Sequence, residues 1–324
     1  MRRAARFRHV SAGLIPLASA VLLAGCELAL VPEADTPAPA ESPAPPPAPE
    51  QQAATPSAPD DTVARYFAGI EARRISEGLL RTDVTADDVP FTARDVVENF
   101  VRIALYNEYV MVDGRPVSRA TPAALRRWQA PVRMRLEFGE SVPPSQRQQD
   151  RSEVAAYAAR LGRLTGHPVS LAQGDGNFHV LVLSEAERRA IGPRLRDLVP
   201  GIDDDTMRIV TGMPLSTFCM VIAFSRHGGQ VYTDAVAIIR AELQERTRRA
   251  CFHEELAQGL GLPNDSVQAR PSLFNDAAEF AVLTPHDELL LQILYDRRLR
   301  PGMREAQARP IVTRIVAELM GAES

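Results

Sequence analysis

The residues best suited to chemistry lie close together, between positions 254 and 265 of a 324-residue chain. They are three carboxylates and two amides: Glu254, Glu255, Gln258, Asn264 and Asp265. On a helix, positions 254 and 258 lie one turn apart and share a face. Glu255 is the candidate catalytic residue, because a carboxylate in an apolar cleft can have its pKa raised toward neutrality and act as a general base.

The same residues are candidate metal ligands, but they are poorly suited to zinc. Zinc prefers imidazole nitrogen or thiolate, whereas carboxylates and amides suit Ca²⁺ or Mg²⁺ better. We therefore expect no metal and no other cofactor; the alternative is a divalent cation such as Ca²⁺ or Zn²⁺. In that alternative Glu254, Gln258 and Asp265 bind Ca²⁺. Without a cation, Gln258 could join Asn264 and Asp265 in a closed hydrogen-bond network.

The spacing of this stretch resembles the active-site helix of metzincin zinc proteases, whose motif is H-E-x-x-H-x-x-G-x-x-H. Glu255 stands at the motif Glu, and Gly261 at the Gly that turns the chain. The three His positions hold Glu254, Gln258 and Asn264. His253 is out of phase, because a motif starting there would place Ala257 at the second ligand position. The resemblance implies a zincin-like domain that has lost its zinc ligands.

Periodic apolar residues indicate the elements that position this stretch. Helices are predicted over 62–80, 93–109, 150–164 and 246–260. A further helix is predicted to begin at 185, after a capping box formed by Ser184 and Glu187, and Gly192-Pro193 should end or kink this helix before 198. Strands are predicted over 110–112, 127–138, 169–171, 178–183, 219–224 and 232–239, with turns at Asp113-Gly114 and His227-Gly228-Gly229. The acidic run 203–205 is interpreted as a solvated loop. A last helix begins with Thr284 as N-cap and Asp287 at its third position.

The order of these elements resembles the N-terminal lobe of metzincins. This resemblance implies an α+β fold with a twisted, mixed five-stranded sheet, backing helices, a helix of the active-site type and a small helical C-terminal lobe. The helix from Thr284 to Leu294-Tyr295 resembles the helix that follows the methionine-containing turn of metzincins, the Met-turn. At the position of that methionine, this chain has Leu273 or Phe274. The chain also resembles alpha-proteobacterial lipoproteins of unknown function. The shared stretches are Glu-Glu-Leu-x-Gln-x-Leu-Gly-Leu-x-Asn-Asp at 254–265 and Leu-Tyr-Asp-x-x-Leu-x-Pro-Gly-Met at 294–303.

The start of the chain has the pattern of a secretory signal. Arg2, Arg3, Arg6 and Arg8 precede an apolar run over 14–23 that ends in Leu23-Ala24-Gly25-Cys26. This end resembles a bacterial lipobox, which implies a signal peptide over 1–25 and lipidation of Cys26; the alternative is an ordinary signal with a chance cysteine. Residues 26–60 are predicted to form a Pro/Ala-rich tether. We expect a lipid anchor on the periplasmic side of a bacterial membrane, inner or outer.

Charge and cysteine content narrow the function classes. The net charge is −4 and no long basic tract follows residue 26, which argues against a nucleic-acid partner. The chain has no lysine, so Schiff-base chemistry is excluded. With Cys26 lipidated, Cys219 and Cys251 remain, and in an oxidising compartment we expect them to form a disulfide; the alternative is two buried thiols.

Three segments are predicted after the tether: an N-terminal helical extension over 61–124, a zincin-like lobe with the motif helix over 125–264, and a C-terminal lobe over 265–324. The leading hypothesis is a cell-envelope lipoprotein whose non-catalytic zincin-like domain binds a peptide or protein. Residues 219–224 could pair with it by strand addition if they form a sheet edge. One alternative is a metallopeptidase-like hydrolase that uses Glu255 with a non-zinc or unusual metal site. Another is a structural lipoprotein whose cleft is merely inherited.

Overall fold

A mixed β-sheet lies between two groups of helices and carries the candidate site. The computed structural model describes residues 61–83, 89–112 and 115–321. The helices are α1 (Asp61–Ser76), α2 (Ala93–Ala104), α3 (Pro144–Thr165), α4 (Glu185–Ala190), α5 (Gly192–Leu198), α6 (Asp204–Thr211), α7 (Glu245–Gly261), α8 (Pro285–Tyr295) and α9 (Glu305–Gly321). The strands are β1 (Tyr106–Val112), β2 (Arg115–Pro122), β3 (Arg127–Trp128), β4 (Val132–Phe138), β5 (Val169–Leu171), β6 (Phe178–Leu183), β7 (Cys219–Ser225) and β8 (Val231–Arg240). The predicted signal peptide, Cys26, the tether and the Asp113-Gly114 turn lie outside the described residues.

The sheet runs in the order β5-β4-β6-β8-β7, and the short β3 pairs with the start of β8. β4, β5, β6 and β8 are parallel to one another, whereas β7 is antiparallel to β8. Tyr232 of β8 has Ser225 of β7 on one side and Trp128 of β3 on the other. β7 is therefore an edge strand, and within the described ranges β8 is the strand with which it pairs.

The sheet has six strands where the resemblance implied five, because the strand predicted over 127–138 is divided. β3 ends at Trp128 and β4 begins at Val132. Pro131 lies between them, and proline cannot donate the backbone hydrogen bond that a continuous central strand requires. As a result β3 pairs with β8, whereas β4 pairs with β5 and β6. The α+β class predicted from the sequence is confirmed.

Helices cover both faces of the sheet, which explains why its central strands are continuous apolar runs. Every residue of β6 is buried. On one face, α2, α3, α7, α8 and α9 share a large core with residues such as Phe178 and Leu256. On the other face, α5 and α6 pack on the sheet in a smaller core, which includes Leu195 of α5 and Leu181 of β6. The two cores hold the sheet from both sides.

Of the three short helices between β6 and β7, sequence signals predicted the region of α4 and α5 but not α6. Ser184 and Glu187 form the predicted capping box of α4, and the chain breaks before Gly192, where α5 begins. The acidic run at 203–205 is not a loop, because Asp203 caps α6 by accepting a hydrogen bond from the Thr206 amide at 2.7 Å. Acidic side chains stabilise a helix N-terminus, so this run starts a helix that was not predicted from the sequence.

The segment between 61 and 124 contains a β-hairpin as well as helices. The second predicted helix ends at Ala104 rather than 109, and β1 and β2 then pair antiparallel. Tyrosine and valine favour strands, and the Asp-Gly pair is a strong hairpin signal that outweighs the helical periodicity. α2 packs on α9 and α8. α1 lies near the start of β7, where the Phe67 and Phe218 rings meet edge to face with centroids 5.4 Å apart.

α8 begins as the sequence predicted. The Thr284 hydroxyl accepts from the Asp287 amide at 3.2 Å, and the Asp287 carboxylate accepts from the Thr284 amide at 3.0 Å. Asp287 also accepts from the Leu273 amide at 2.9 Å, which ties the preceding loop to the helix start. α9 lies within the C-terminal lobe that was predicted to be helical, although its own bounds were not predicted.

The predicted disulfide between Cys219 and Cys251 is confirmed, with Cα atoms 5.9 Å apart. It joins the first residue of β7 to α7, and so holds the edge strand against the motif helix. In the described part of the chain, no helix combines the length and apolar character needed to cross a lipid bilayer.

Candidate functional site

Two glycines bring the C-terminal end of α7 close to the sheet. A Cβ atom at Gly259 would lie 2.6 Å from Cε1 of Phe178, and the Trp128 indole N–H donates to the Gly259 carbonyl at 2.8 Å. Gly261 has a φ of +132°, and a Cβ atom there would collide with the Arg126 carbonyl oxygen. Glycine alone tolerates this backbone geometry, so Gly261 turns the chain as its place in the motif predicts.

The amides of the predicted ligand set have different partners. Gln258 Nε2 donates to Asp265 Oδ1 at 2.9 Å, so the structure brings this pair together. Asn264 Nδ2 instead donates to the Arg102 carbonyl at the end of α2, at 2.8 Å. A zinc ion needs three or four ligand atoms, most often His nitrogen or Cys thiolate, that converge on one point. The residues at the three motif His positions therefore do not fit a zinc ion.

Glu255 is a buried acid with one oxygen left without a partner. The residue is 5% exposed, and its Oε2 makes no hydrogen bond to any described residue. Burial raises the pKa of Glu255 well above its usual range, the Asp265 and Glu108 carboxyls raise it further, and a hydrogen bond from the Val221 backbone opposes the rise. Such a carboxyl must either keep a proton or be neutralised by a cation.

Glu255 belongs to a group of four carboxyls, Glu108, Glu254, Glu255 and Asp265, which we call the acid cluster. Burial, followed by repulsion from Asp265, raises the pKa of Glu254 well above its usual range. Burial raises the pKa of Asp265 to about 7, and Glu108 and Asp276 add to the rise. Burial also raises the pKa of Glu108. The cluster therefore holds protons more tightly than separate surface carboxyls would.

Two parts of the chain that are distant in the sequence build the acid cluster: β1, and α7 with the loop that follows it. α7 carries two members, the loop after α7 carries Asp265, and β1 carries Glu108. Sequence reasoning missed Glu108 and its neighbour Tyr109, because it placed both in a helix. The run of strand-forming residues before Asp-Gly was the signal that could have identified the hairpin. The positive charge of Arg74, on α1, acts on the Glu254 carboxyl.

The cysteine beside the acid cluster is not available as a metal ligand. The Cys219 sulfur and one oxygen each from Glu254 and Glu255 lie within 4.8 Å of one another. Cys219 is bonded to Cys251, and a disulfide sulfur lacks the charge that makes a thiolate a good ligand. In the oxidised protein, this group therefore offers only oxygen to a cation.

His253, directly before the two glutamates, has a structural role. Its Nδ1 accepts from the Leu283 amide at 3.3 Å, and its Nε2 lies 3.0 Å from the Glu153 carboxylate. The ring stacks on Tyr157 of α3, with centroids 4.0 Å apart, and burial lowers the pKa of His253. These contacts join α7 to α3 and to the loop before α8. A structural role for His253 agrees with its position, which is out of phase with the metal-ligand spacing of the motif.

A separate cavity of about 190 Å³ lies away from the acid cluster, near β3, the end of α3 and Tyr295. Arg127 lines this cavity. Its guanidinium already donates to three carbonyls at the end of α8 and beyond, among them Leu299 at 2.8 Å. Arg127 therefore serves to connect β3 with that region, and the acid cluster remains the candidate site.

Comparison with known proteins identifies a family but no activity. Residues 93–314, about two-thirds of the chain, match the family model described as "Protein of unknown function (DUF2927)". No curated protein and no solved structure matches the chain. The matched region includes α7, the edge strand β7 and the whole acid cluster.

Proposed function

The chain belongs to the DUF2927 family, and we propose that it is a cell-envelope lipoprotein whose folded part binds an extended peptide or protein segment. In this proposal the folded part is a zincin-like domain that lost its zinc ligands and binds without catalysis. The observation that carries the proposal is the edge strand β7, which lies beside the motif helix and pairs, among the described residues, with β8 alone.

β7 can offer backbone groups to a ligand. In an edge strand, alternate residues direct their N–H and C=O groups away from the neighbouring strand. The outward Val221 N–H already donates to Glu255 of α7, so the backbone groups of Ala223, two residues later, face the same way and are the ones placed to pair with a ligand. The register with β8 shifts only after Phe224, at the end of the strand. An extended ligand could therefore add to β7 as a further strand, with Glu255 beside it.

Three apolar or aromatic side chains that lie close in the sequence to β7 or to members of the acid cluster are exposed. Leu215 precedes β7 and is 38% exposed, and Val267 follows Asp265 closely and is 71% exposed. Tyr109 is 51% exposed, and partial burial of its hydroxyl together with a hydrogen bond to Glu108 raises its pKa. Exposed apolar groups beside an unpaired strand favour contact with the side chains of a bound segment.

The zincin-like origin of the domain is supported by three features that do not depend on one another. Gly261 has the conformation that its motif position requires. The motif helix lies next to an antiparallel edge strand. Thr284 and Asp287 cap the helix that resembles the one after the Met-turn.

The lipoprotein part of the proposal depends on Cys26. We expect a fatty-acid analogue fed to growing cells to label the protein, and Cys26→Ser to remove the label and release the chain from the membrane fraction. Labelling that persists in Cys26→Ser would contradict this assignment. Separation of inner and outer membranes would then show which of them holds the labelled protein.

The binding part can be tested with short random peptides selected on phage against the full chain in detergent. Selected peptides would be measured by fluorescence anisotropy against wild type and Ala223→Pro. Proline at 223 removes an outward N–H, so we expect binding at least about tenfold weaker, roughly the loss of one good hydrogen bond. Ala130→Pro is the matched control, because Ala130 is exposed in the loop between β3 and β4.

Two results would contradict strand addition on β7. One is a set of selected peptides that bind Ala223→Pro as tightly as wild type. The other is a selection that enriches no peptide at all, which would favour the structural lipoprotein with an inherited cleft. Circular dichroism and thermal unfolding of both proline variants establish that any loss of binding is not a loss of folding.

A second candidate function is a hydrolase that uses Glu255. The observation in its favour is the unpartnered Glu255 oxygen within a group of acids that hold protons near neutral pH. A carboxyl of raised pKa can act as a general acid or base. Hydrolysis of casein or of peptidoglycan peptides that disappears in Glu255→Gln would establish this function and overturn the non-catalytic proposal.

A further inference from the structure

We propose that the acid cluster is a binding site for a hard divalent cation such as Ca²⁺, held by one carboxylate oxygen each of Glu254 and Glu255, with the carboxyls of Asp265 and Glu108 as nearby negative charges that favour its binding. This inference goes beyond the proposed function, since a cation can bind whether or not a peptide adds to β7. It also differs from the zinc site that the motif resemblance implies, because it uses carboxylates in place of the motif His positions.

The spacing of the two glutamates suits a shared ion. One carboxylate oxygen of Glu254 and one of Glu255 lie within 4.8 Å of each other. Ca²⁺ binds oxygens at about 2.3–2.6 Å, so two oxygens on one ion lie at most about 5 Å apart. The observed separation therefore places both carboxylates within reach of a single ion without movement of α7.

An unpartnered buried oxygen points to a missing positive charge. Glu255 is only 5% exposed, and its Oε2 has no hydrogen bond within the described ranges. The charged groups that act most strongly on Glu255 are two further carboxyls, Asp265 and Glu108. Buried polar atoms are nearly always satisfied, so an acid left open among other acids calls for a ligand that the protein itself does not supply.

The disulfide determines the kind of cation. A thiolate at Cys219 would add a soft ligand and favour zinc, but this sulfur is bonded to Cys251. The remaining ligands are carboxylate oxygens, which suit Ca²⁺, Mg²⁺ or Mn²⁺. Ca²⁺ fits best, because it accepts irregular sets of oxygens, whereas Mg²⁺ demands near-ideal octahedral geometry.

The site lies where the β1–β2 hairpin, α7 and the loop after α7 come together. Glu108 lies on the β1–β2 hairpin, which forms a sheet of its own. Asp265 lies in the loop after α7, and Gln258 fixes its carboxylate through a hydrogen bond at 2.9 Å. The positive charge of a bound cation would attract the Glu108 carboxylate and draw the hairpin closer to α7, so exchange of β1 backbone amides with deuterium should slow when Ca²⁺ is added.

The test is calorimetric titration of the full, oxidised chain with CaCl₂ after removal of metals with EDTA, at pH 7.5. We expect one Ca²⁺ per chain, and affinity at least tenfold weaker in Glu255→Gln and in Asp265→Asn. Asp175→Asn is the matched control, because the Asp175 side chain is fully exposed, and it should bind as wild type does. Zn²⁺ should bind the oxidised protein more weakly than Ca²⁺.

Terbium provides a second measurement that leaves the ligands intact. Tb³⁺ replaces Ca²⁺, and Tyr109, whose hydroxyl makes a hydrogen bond to the Glu108 carboxylate, is placed to sensitise its emission. Tyr109→Phe should reduce the tyrosine-excited emission while the calorimetric stoichiometry for Ca²⁺ stays at one. The proposal is overturned if millimolar Ca²⁺ does not bind, if both carboxylate variants bind as wild type does, or if Zn²⁺ binds the oxidised protein more tightly.

Discussion

Replacement of Asp265 by asparagine should stabilise the protein in alkaline but not in acidic solution. Asp265 lies in the acid cluster, and burial is the largest cause that raises its pKa, to about 7 from an unperturbed value of 3.8. Among the described residues, Gln258 Nε2 donates a hydrogen bond to Asp265 at 2.9 Å. Asparagine keeps the shape and an acceptor oxygen for Gln258, but it carries no charge at any pH.

The sign follows from the proton balance. The folded protein keeps a proton on Asp265 up to about pH 7, while the unfolded chain releases it near its usual pKa. The stabilisation of the folded state by this proton is therefore fully present below the pKa that Asp265 has in the unfolded chain, and it is lost as the pH rises through about 7. A tenfold change in proton affinity corresponds to about 1.4 kcal/mol, so the rise in the pKa of Asp265 sets an upper bound of roughly 4 kcal/mol.

The expected effect is smaller than this bound. Asp265 is partly exposed to solvent, and neighbouring carboxyls share the proton, so removal of one charge also eases ionisation of the others. We expect the free energy of unfolding of Asp265→Asn, relative to wild type, to increase by about 1–3 kcal/mol between pH 5 and pH 8.

Urea unfolding at pH 5, 6, 7 and 8 measures this difference, with EDTA present to exclude cations. The fluorescence of Trp128 reports on folding, because it is the single tryptophan and it is buried. Asp175→Asn, at a fully exposed carboxylate, should show no such pH dependence. A difference between Asp265→Asn and wild type that stays constant from pH 5 to pH 8, or that favours wild type as the pH rises, would refute the assignment of a strained buried acid.

Three further predictions concern the support of the site. Reduction of the Cys219–Cys251 disulfide, which closes a loop with a sequence separation of 32, should lower the free energy of unfolding by roughly 3–4 kcal/mol in urea, and the Cys219→Ser/Cys251→Ser double variant should match the reduced protein. Gly259→Ala should lower the melting temperature through a clash with Phe178 worth about 1–3 kcal/mol, which Phe178→Leu in the same chain should relieve in part. Trp128→Phe leaves the Gly259 carbonyl without its donor, so calorimetric unfolding should show a loss of about 1–3 kcal/mol, and an unchanged melting temperature would contradict this role.

Local signals predicted much of the fold because each depends on residues only a few positions apart. The capping boxes at Ser184 and Thr284 place α4 and α8 correctly. The apolar run at 178–183 forms a fully buried strand, and the motif stretch forms α7 nearly to the residue. The disulfide followed from the number of cysteines and the expected compartment.

Where two local signals competed, the prediction from sequence is wrong. Helical periodicity continues through 104–109, but the strand propensity beyond Leu105 and the Asp-Gly turn outweigh it, and this error concealed Glu108. The acidic run at 203–205 suits a solvated loop and a helix N-terminus equally well, and Asp203 supplies the cap. Pro131 lies within one predicted strand, although it separates two strands with different partners.

The sequence by itself determined the helix that carries Glu254 and Glu255, the glycine that ends it and the lack of histidine at positions 254, 258 and 264, since these depend on residue types at fixed spacing. The tertiary structure decided that β7 is an edge strand, that Asn264 turns to α2 while Gln258 bonds Asp265, and that Glu108 joins the acids of α7. The physical reason is that strand partners, burial and the charges around a carboxyl come from segments far apart in the chain. Spacing along a sequence carries no measure of those distances, and only folding creates them.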